Sequence, residues 1–276
     1  MELAFRVLAA TSLVLGPGVA AADESIPFRE AWGWAVVVPV AFGGSGVYEL
    51  LLDTGTSSTI LEPGLAEQIG LDAASSANLV TPAGKRPVAL GSVDLRLGGT
   101  RLQSVEVLVA ELPAIRGDEP RIRGILGQSA LARLEYTIDY ARRRLVVHGA
   151  DGASAPAASP PAPRPVLDAR LGCGGAPLRL VLDSGIAAPI LFERSGRPLR
   201  LALGSSVRVE TNAGAAEWRE ARLDSLCVAG ERSGPLRVVV RPETAPTRDE
   251  DGLLPSRFFA RVRVGRAGSV VAVDRW

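Results

Sequence analysis

The chain has 276 residues, 47% of them hydrophobic and 5% aromatic, with 31 basic and 30 acidic side chains. This composition is typical of a soluble globular protein with enough apolar material for one large domain or two small ones. A net charge of +1 leaves no excess of positive charge to neutralise a phosphate backbone, so we expect no nucleic-acid partner.

The first 22 residues have the pattern of an export signal. Arg6 supplies a weak positive charge, and the apolar segment 7–20 is too short to span a bilayer comfortably and is interrupted by Gly16 and Pro17. The small residues at 20–22 fit a cleavage site. We therefore expect an exported protein, periplasmic or secreted, that starts near Asp23 and is not stably inserted in a membrane. An uncleaved membrane anchor is the alternative.

After this segment, Val- and Leu-rich runs alternate with Gly and Pro, a pattern that is typical of an all-β protein. The basic run 141–144 lies between two such runs and predicts an exposed hairpin turn. The Pro- and Ala-rich segment 149–165 contains nothing that could anchor a core, which indicates a linker. It predicts a first lobe at 23–148 and a second lobe at 166–276.

A carboxylate ends the apolar run near the start of the first lobe. The sequence there is "ELLLDTGTSSTIL" (49–61), with Asp53 as its acid. A buried carboxylate needs hydrogen-bond partners or a proton, so Asp53 either caps a turn or is held in place for chemistry. The second half repeats the pattern as "PLRLVLDSGIAAPILFE" (177–193), with Asp183 as the acid.

Two further stretches repeat at matching distances from these acids. "TPAG" begins at Thr81 and "TNAG" begins at Thr211, and each lies equally far along the chain from the acid of its own half. "GILG" begins at Gly124 and "GLLP" begins at Gly252, again at nearly equal spacing from the two acids. Three matches in register predict a duplicated domain.

The repeated motifs resemble the aspartic proteases, and most closely two retropepsin-like units joined in one polypeptide. "LLLDTGTSS" and "GILGQSALARLEYTIDYARRRLVV" carry the resemblance in the first half, and "LVLDSG" and "GLLPSRFFARVRV" carry it in the second. It covers nearly all of the chain after the export signal. The resemblance implies two β-barrel lobes with a central cleft and pseudo-two-fold symmetry. It also implies an endopeptidase that hydrolyses an extended peptide or protein substrate without a cofactor.

The resemblance assigns a role to each part of the motifs. It implies that Asp53 and Asp183 are catalytic, hold a water molecule between them and share one proton, a splitting known from this family. The glycines permit tight turns, and the hydroxyls after each acid connect one turn to the other. The residues expected to support the pair are Thr54, Gly55, Thr56, Ser184 and Gly185. Those expected to pack behind the acids are Gly124, Ile125, Leu126, Gly252, Leu253 and Leu254.

The "TPAG" and "TNAG" stretches are expected to be hairpin tips, or flaps, that fold over the cleft and hold a substrate as an added strand. The residues concerned are Thr81, Pro82, Ala83 and Gly84 in the first half and Thr211, Asn212, Ala213 and Gly214 in the second. Two flaps favour the retropepsin-like arrangement, because the pepsin-like branch has only one.

The two copies differ beside their acids. Thr56 offers a hydroxyl near Asp53, whereas Ile186 offers none at the matching place, so we expect Asp183 to hold the shared proton. Pro255 also replaces the closing glycine of the first half. These changes leave a second interpretation open, an inactive exported peptide-binding module with the same cleft.

Cysteine and histidine usage bears on the remaining classes of site. Cys173 and Cys227 are a candidate disulfide in an oxidising compartment, with two unpaired buried thiols as the alternative. With His148 as the single histidine and the cysteines far apart, the sequence supports neither a metal site nor a Ser-His-Asp triad. Because one chain carries both acids, we expect a monomer.

Overall fold

The computed structural model describes residues 22–73, 75–81, 84–149, 162–193, 199, 201–211, 214–242 and 249–274. Most of the predicted export signal, most of the predicted linker and the central residues of both predicted flap tips (Pro82, Ala83, Asn212 and Ala213) lie outside this part of the chain. Strands dominate the described residues, so the all-β prediction is confirmed. The helices α1 (Pro63–Gln68), α2 (Pro113–Arg116) and α3 (Gln128–Leu131) are short.

The strands are numbered in chain order. The first half contains β1 (Glu24–Pro27), β2 (Arg29–Ala31), β3 (Ala35–Phe42), β4 (Val47–Leu52), β5 (Thr59–Leu61), β6 (Ser75–Thr81), β7 (Gly84–Leu97), β8 (Thr100–Val109), β9 (Ile122–Leu126), β10 (Tyr136–Asp139) and β11 (Arg144–Val147). The second half contains β12 (Val166–Leu171), β13 (Pro177–Asp183), β14 (Ile190–Phe192), β15 (Leu203–Thr211), β16 (Gly214–Leu223), β17 (Leu226–Val228), β18 (Glu231–Arg232), β19 (Leu236–Arg241), β20 (Gly252–Pro255), β21 (Arg261–Val264) and β22 (Val270–Asp274).

The first lobe is built on an eight-stranded sheet in the order β2-β3-β4-β9-β5-β8-β7-β6. Strand β3 also pairs with β7, which closes six of these strands into a barrel. Closure removes the exposed hydrogen-bonding edges of those strands. Inside the lobe, β4 runs parallel to β9, while β5 runs antiparallel to β9 and parallel to β8.

The second lobe is a nine-stranded sheet in the order β15-β16-β19-β14-β20-β13-β12-β17-β18. It repeats the pairings around the acid: β13 runs parallel to β20, while β14 runs antiparallel to β20 and parallel to β19. Strand β17, which closely follows β16, pairs with β12. This pairing corresponds in the first lobe to the pairing of the end of β7 with β3. These matched pairings are what a duplication would produce, and the duplication itself remains a prediction.

A third sheet joins the two halves of the chain. Its order is β1-β11-β10-β21-β22, and β10 pairs antiparallel with β21 from the second half. The turn between β10 and β11 exposes residues 141–144, as the sequence predicted. This sheet contains strands from both halves, so the sheets do not divide at the predicted lobe boundaries. Those boundaries remain a prediction.

The largest apolar core continues from one lobe into the other. It contains Leu52 from β4, Leu182 from β13, Tyr136 from β10 and Phe259, which follows β20. Burying this much continuous apolar surface stabilises the relative placement of the two acid-bearing strands. The rigidity of the site therefore comes from the shared core as well as from each sheet.

The two cysteines are bonded to each other. The disulfide joins Cys173, in the turn between β12 and β13, to Cys227 in β17, with their Cα atoms 5.1 Å apart. It connects β17 to the turn of the β12–β13 hairpin, whose second strand ends at Asp183. None of the helices in the described ranges is both long enough and apolar enough to cross a membrane.

Candidate active site

The sheet pairings place both acids at equivalent positions. In the first lobe Leu52 pairs with Leu126, and the amide of Asp53 donates to the Leu126 carbonyl at 3.0 Å. In the second lobe Leu182 pairs with Leu254, and Asp183 pairs with Pro255. Each acid therefore lies at the end of a strand that is buried between two others.

The predicted packing segments, 124–126 and 252–254, lie directly beside these strands. Their glycines are needed for close approach of the neighbouring chain. A Cβ atom added at Gly124 would lie 2.6 Å from the Ile60 carbonyl oxygen, and one added at Gly252 would overlap the Ile190 carbonyl oxygen. Glycine is therefore needed at both positions, because any side chain would push away the backbone of the neighbouring strand, β5 in the first lobe and β14 in the second.

Four reciprocal hydrogen bonds connect the two acid-bearing turns. The hydroxyl of Thr54 donates to the Leu182 carbonyl at 2.6 Å and accepts from the Ser184 amide at 3.0 Å. The hydroxyl of Ser184 donates to the Leu52 carbonyl at 2.7 Å and accepts from the Thr54 amide at 3.1 Å. All four bonds are buried, so each turn provides the partners that the other turn needs.

The carboxyl groups of Asp53 and Asp183 meet at the centre of this arrangement, each next to the glycine of the opposite turn. Their exposed fractions are 9% and 5%. A Cβ atom added at Gly185 would lie 2.8 Å from the Asp53 Cγ atom, and one added at Gly55 would overlap Asp183 Oδ2. The two glycines leave the space that each acid of the opposite lobe occupies.

The two acids have different hydrogen-bond environments. Asp53 accepts from the Gly55 amide at 2.9 Å, from the Thr56 amide at 3.0 Å and from the Thr56 hydroxyl at 2.7 Å. Among the described residues, the Gly185 amide, at 2.7 Å, is the donor to Asp183. The sequence difference between Thr56 and Ile186 therefore has the expected structural counterpart.

Burial raises the pKa of both acids, but the other contributions to the two pKa values differ. Burial raises the pKa of Asp53, while the Thr56 hydroxyl and the two turn amides oppose that rise. Burial and the neighbouring charge of Asp53 raise the pKa of Asp183 well above its usual value. At a pH where the pair holds one proton, this difference favours Asp183 as the protonated acid.

The predicted flaps correspond to two hairpins. Strands β6 and β7 pair up to Thr81 and Gly84, and strands β15 and β16 pair up to Thr211 and Gly214. Apolar side chains along each hairpin belong to, or pack against, an apolar cluster that also contains residues of the strands around the acid. In the first lobe these are Ala77, Leu79, Val88 and Leu90, and in the second they are Val209, Ala216 and Trp218.

A second layer of polar contacts behind the acids was not identified from the sequence. The buried Gln128 side chain donates to the Thr54 carbonyl at 2.9 Å. In the second lobe, Ser256 hydrogen-bonds to the hydroxyl of Tyr140 from the third sheet. Both residues directly follow the repeated stretches 124–127 and 252–255, so their equivalent positions in the two halves were the available signal, although the sequence does not show what they contact.

The described residues contain no group of three or more His, Cys, Asp or Glu side chains that could hold a metal ion. The ring of His148 lies between Asp23, at 2.9 Å, and Thr137, at 2.8 Å. It thus connects β11 to the chain before β1, a structural contact at the edge of the third sheet.

Comparisons with known proteins agree with this geometry. Residues 38–130, which run from β3 into α3, match the family model described as aspartyl protease. The predicted resemblance to the aspartic proteases is confirmed. The structure also matches the crystal structure of the aspartic proteinase from Irpex lacteus, with a TM-score of 0.52 over 92% of this chain and 97% of that chain, at 14% identity. This likeness shows that the aspartic protease fold extends over both lobes. No curated protein sequence matches the chain.

Proposed function

We propose that the protein is an aspartic endopeptidase in which Asp53 and Asp183 form the catalytic pair. The observation that carries the proposal is the contact between two buried carboxyl groups, each at the tip of a turn that the other lobe holds by hydrogen bonds. A buried acid pair is unfavourable for stability, because at least one member must keep its proton. Such an arrangement is typical of a catalytic site.

In the proposed mechanism Asp53 is the base and Asp183 is the acid. Asp53 has three hydrogen-bond donors from its own turn, which stabilise its charged form. It takes a proton from a water molecule as the water oxygen attacks the scissile carbonyl carbon. Asp183 gives its proton to the carbonyl oxygen, which forms a gem-diol. As the C–N bond of the gem-diol breaks, Asp53 gives the proton it took from water to the amine nitrogen, and one gem-diol hydroxyl returns a proton to Asp183. The products are the free amine and a carboxylic acid, and both aspartates recover their starting states.

The proposed substrate is an extended stretch of peptide or protein. The two hairpins supply strand backbone on each side of the acids, and a substrate strand would lie between them and the acids. Closure of the hairpins would exclude bulk water from the pair. The apolar clusters against which the hairpins pack would contact substrate side chains on either side of the scissile bond.

A second candidate is a peptide-binding module without turnover. The observation that favours it is the absence of a side-chain donor at Ile186, which leaves Asp183 with one donor from its own turn among the described residues. The endopeptidase remains our proposal, because all four bonds between the turns are present.

Single-acid variants distinguish the two candidates. A mixed peptide library is incubated with the unmodified protein, Asp53→Asn and Asp183→Asn, and the products are identified by mass spectrometry. We expect cleavage by the unmodified protein and a loss of about 10³-fold or more in each variant, the scale for removing a catalytic group. Binding without cleavage by the unmodified protein would favour the module, and cleavage that survives both substitutions would rule out the pair.

We further propose that residues 1–22 direct export and that the mature protein is a monomer in the periplasm or outside the cell. The disulfide supports an oxidising compartment, where such bonds persist. Cell fractionation followed by amino-terminal sequencing should place the mature start near Asp23. Recovery of the full-length chain in the cytoplasmic fraction would contradict this proposal, and light scattering tests the monomer.

A further inference from the structure

An apolar cluster lies beside Asp183 in the second lobe. Its buried members are Ile190, Phe192 and Trp218, and Ile186, Val209, Ala216, Val239 and Leu253 pack against them. Ile186 comes shortly after Asp183 in the chain, and Leu253 lies on β20, the neighbour of the acid-bearing strand. We call these eight residues the second-lobe cluster. Val209, Ala216 and Trp218 belong to the hairpin of β15 and β16, so the cluster connects that hairpin to the strands around Asp183.

One arginine borders the second-lobe cluster. Arg241 ends β19 and pairs with Phe192 across the parallel strands. Its guanidinium lies over the Phe192 ring, with the Cζ atom 4.3 Å from the ring centroid. This cation–π contact holds the guanidinium next to a buried member of the cluster.

Within the described part of the chain, no acidic side chain forms an ion pair with Arg241. Its Nε atom is buried without a hydrogen-bond partner among the described residues. Burial lowers the pKa of the guanidinium. An arginine nevertheless stays charged at any physiological pH. A partly buried charge without a carboxylate is unfavourable, and a ligand that supplied one would remove that penalty.

The charged side chains at the matching place in the first lobe form ion pairs. Glu62 occupies the position of Phe192, and Ala110 occupies the position of Arg241, because each directly follows the matching residue of a parallel strand pair. The Glu62 carboxylate is mostly buried and forms ion pairs with Arg116, at 3.0 Å, and with Arg123. The first lobe therefore balances its buried charge internally, whereas the second lobe presents a cation that the described residues leave without an acid.

We propose that Arg241 is a specificity-determining residue that selects substrates with Asp or Glu at one position on the Asp183 side of the scissile bond. The substrate carboxylate would accept hydrogen bonds from the terminal nitrogens of the guanidinium. Its aliphatic part would contact Phe192. This inference rests on the proposed function, because it assumes that the bound peptide is a substrate. Whether Arg241 binds an acidic peptide can be tested without cleavage.

The experiment compares peptides that differ by one charge. A peptide that the protein cleaves is synthesised with Glu or Gln at each position in turn, and kcat/KM is measured for each pair. We expect one position, on one side of the cleaved bond, at which Glu is preferred over Gln by about tenfold or more, as expected when a buried polar group gains its partner. Arg241→Gln should bring that ratio close to one, and Arg241→Lys should keep part of it because the charge remains.

Arg237 provides the matched control, because it lies on the same strand and its side chain is exposed. Arg237→Gln should leave the Glu-to-Gln ratio unchanged. An equal ratio at every position in the unmodified protein, or a ratio that Arg241→Gln does not alter, would overturn the inference while leaving the endopeptidase intact.

Binding measurements separate this inference from the proposed function. The same peptide pairs are titrated into Asp53→Asn protein, with or without Arg241→Gln, and the tryptophan fluorescence is followed. Tighter binding of one Glu peptide that depends on Arg241 supports the inference even if the unmodified protein cleaves nothing. Equal Kd values for all pairs contradict it even if cleavage is efficient.

Discussion

The first and second lobes form the same strand pairings around their acids but stabilise the two turns by different means. In the first lobe the Thr59 hydroxyl accepts from the Gly127 amide at 3.2 Å and from the Ser129 hydroxyl at 3.0 Å. Pro189 and Pro255 occupy the corresponding places of Thr59 and Gly127 in the second lobe, and proline has no N–H to donate. Side-chain hydroxyls stabilise one turn, whereas the fixed φ of proline stabilises the other.

The comparison explains how a nearly symmetric backbone can provide two chemically different acids. The pairings bring the two carboxyl groups together, and the side chains of each turn then set which acid is easier to ionise. Thr56 lowers the pKa of Asp53, and Ile186 provides no such donor to Asp183. The division into base and acid thus depends on a few side chains and not on the fold.

The largest expected effect comes from filling the space between the turns. Gly55→Ala should reduce kcat/KM by about 10³-fold or more, because its Cβ would overlap Asp183 Oδ2 and displace that acid. Gly185→Ala should cost less, since its Cβ would lie 2.8 Å from Asp53 Cγ. Peptide cleavage assays measure both, with Gly44→Ala as a control because a Cβ there meets nothing within 4 Å. Equal activities of all three variants would show that the turns are not closely apposed.

The hydrogen bonds between the turns should contribute equally from both sides. Thr54→Val and Ser184→Ala each remove two buried hydrogen bonds and should each lower the free energy of unfolding by about 2–4 kcal/mol. Urea unfolding measures this, with the exposed Ser76→Ala as control.

The double variant sharpens the test of these bonds. Its loss should be smaller than the sum of the single losses, because each hydroxyl bonds to the turn that carries the other. If only one single variant were destabilised, the two lobes would not hold each other symmetrically.

The buried acid pair should lower the free energy of unfolding at neutral pH, so that replacing one acid should raise it in a pH-dependent way. The pKa of Asp183 is raised in the folded protein, so folded chains bind its proton more tightly than unfolded chains. Its contribution to stability is therefore complete at low pH and is lost as the pH rises through the folded pKa. Asp183→Asn should raise the free energy of unfolding at pH 7 by about 1–2 kcal/mol and change it little near pH 3.

Asp53→Asn is the comparison for that stability measurement. It should give a smaller gain, because the donors of its turn already oppose the rise in the pKa of Asp53. Chemical unfolding at both pH values measures the difference. Destabilisation by Asp183→Asn at pH 7 would contradict the raised pKa.

The sequence predicted the parts of this comparison that depend on motif spacing. The all-β fold could be read from the Val- and Leu-rich runs that alternate with Gly and Pro, and the resemblance to the aspartic proteases could be read from the motifs that repeat in register. The third sheet could not be predicted, since its pairing of β10 with β21 joins segments that lie far apart in the chain. Gln128 and Ser256 were missed because neither residue type indicates what it will contact until the fold brings the acid-bearing turn beside it.

The smallest expected effect tests which side chains divide the roles of the acids. Thr56→Val removes the hydroxyl that donates to Asp53 Oδ2 at 2.7 Å, so the pKa of Asp53 should rise and kcat/KM should fall by about tenfold. Because Asp53 must be ionised to act as the base, the acidic limb of the pH–rate profile should move to higher pH. Ile186→Thr offers Asp183 the donor that it lacks, which should lower its pKa and move the alkaline limb to lower pH. Ile186→Val, which adds no donor, is the control. If both substitutions moved the same limb, the roles of Asp53 and Asp183 would not be set by their turns, and the difference between the lobes would have no part in the chemistry.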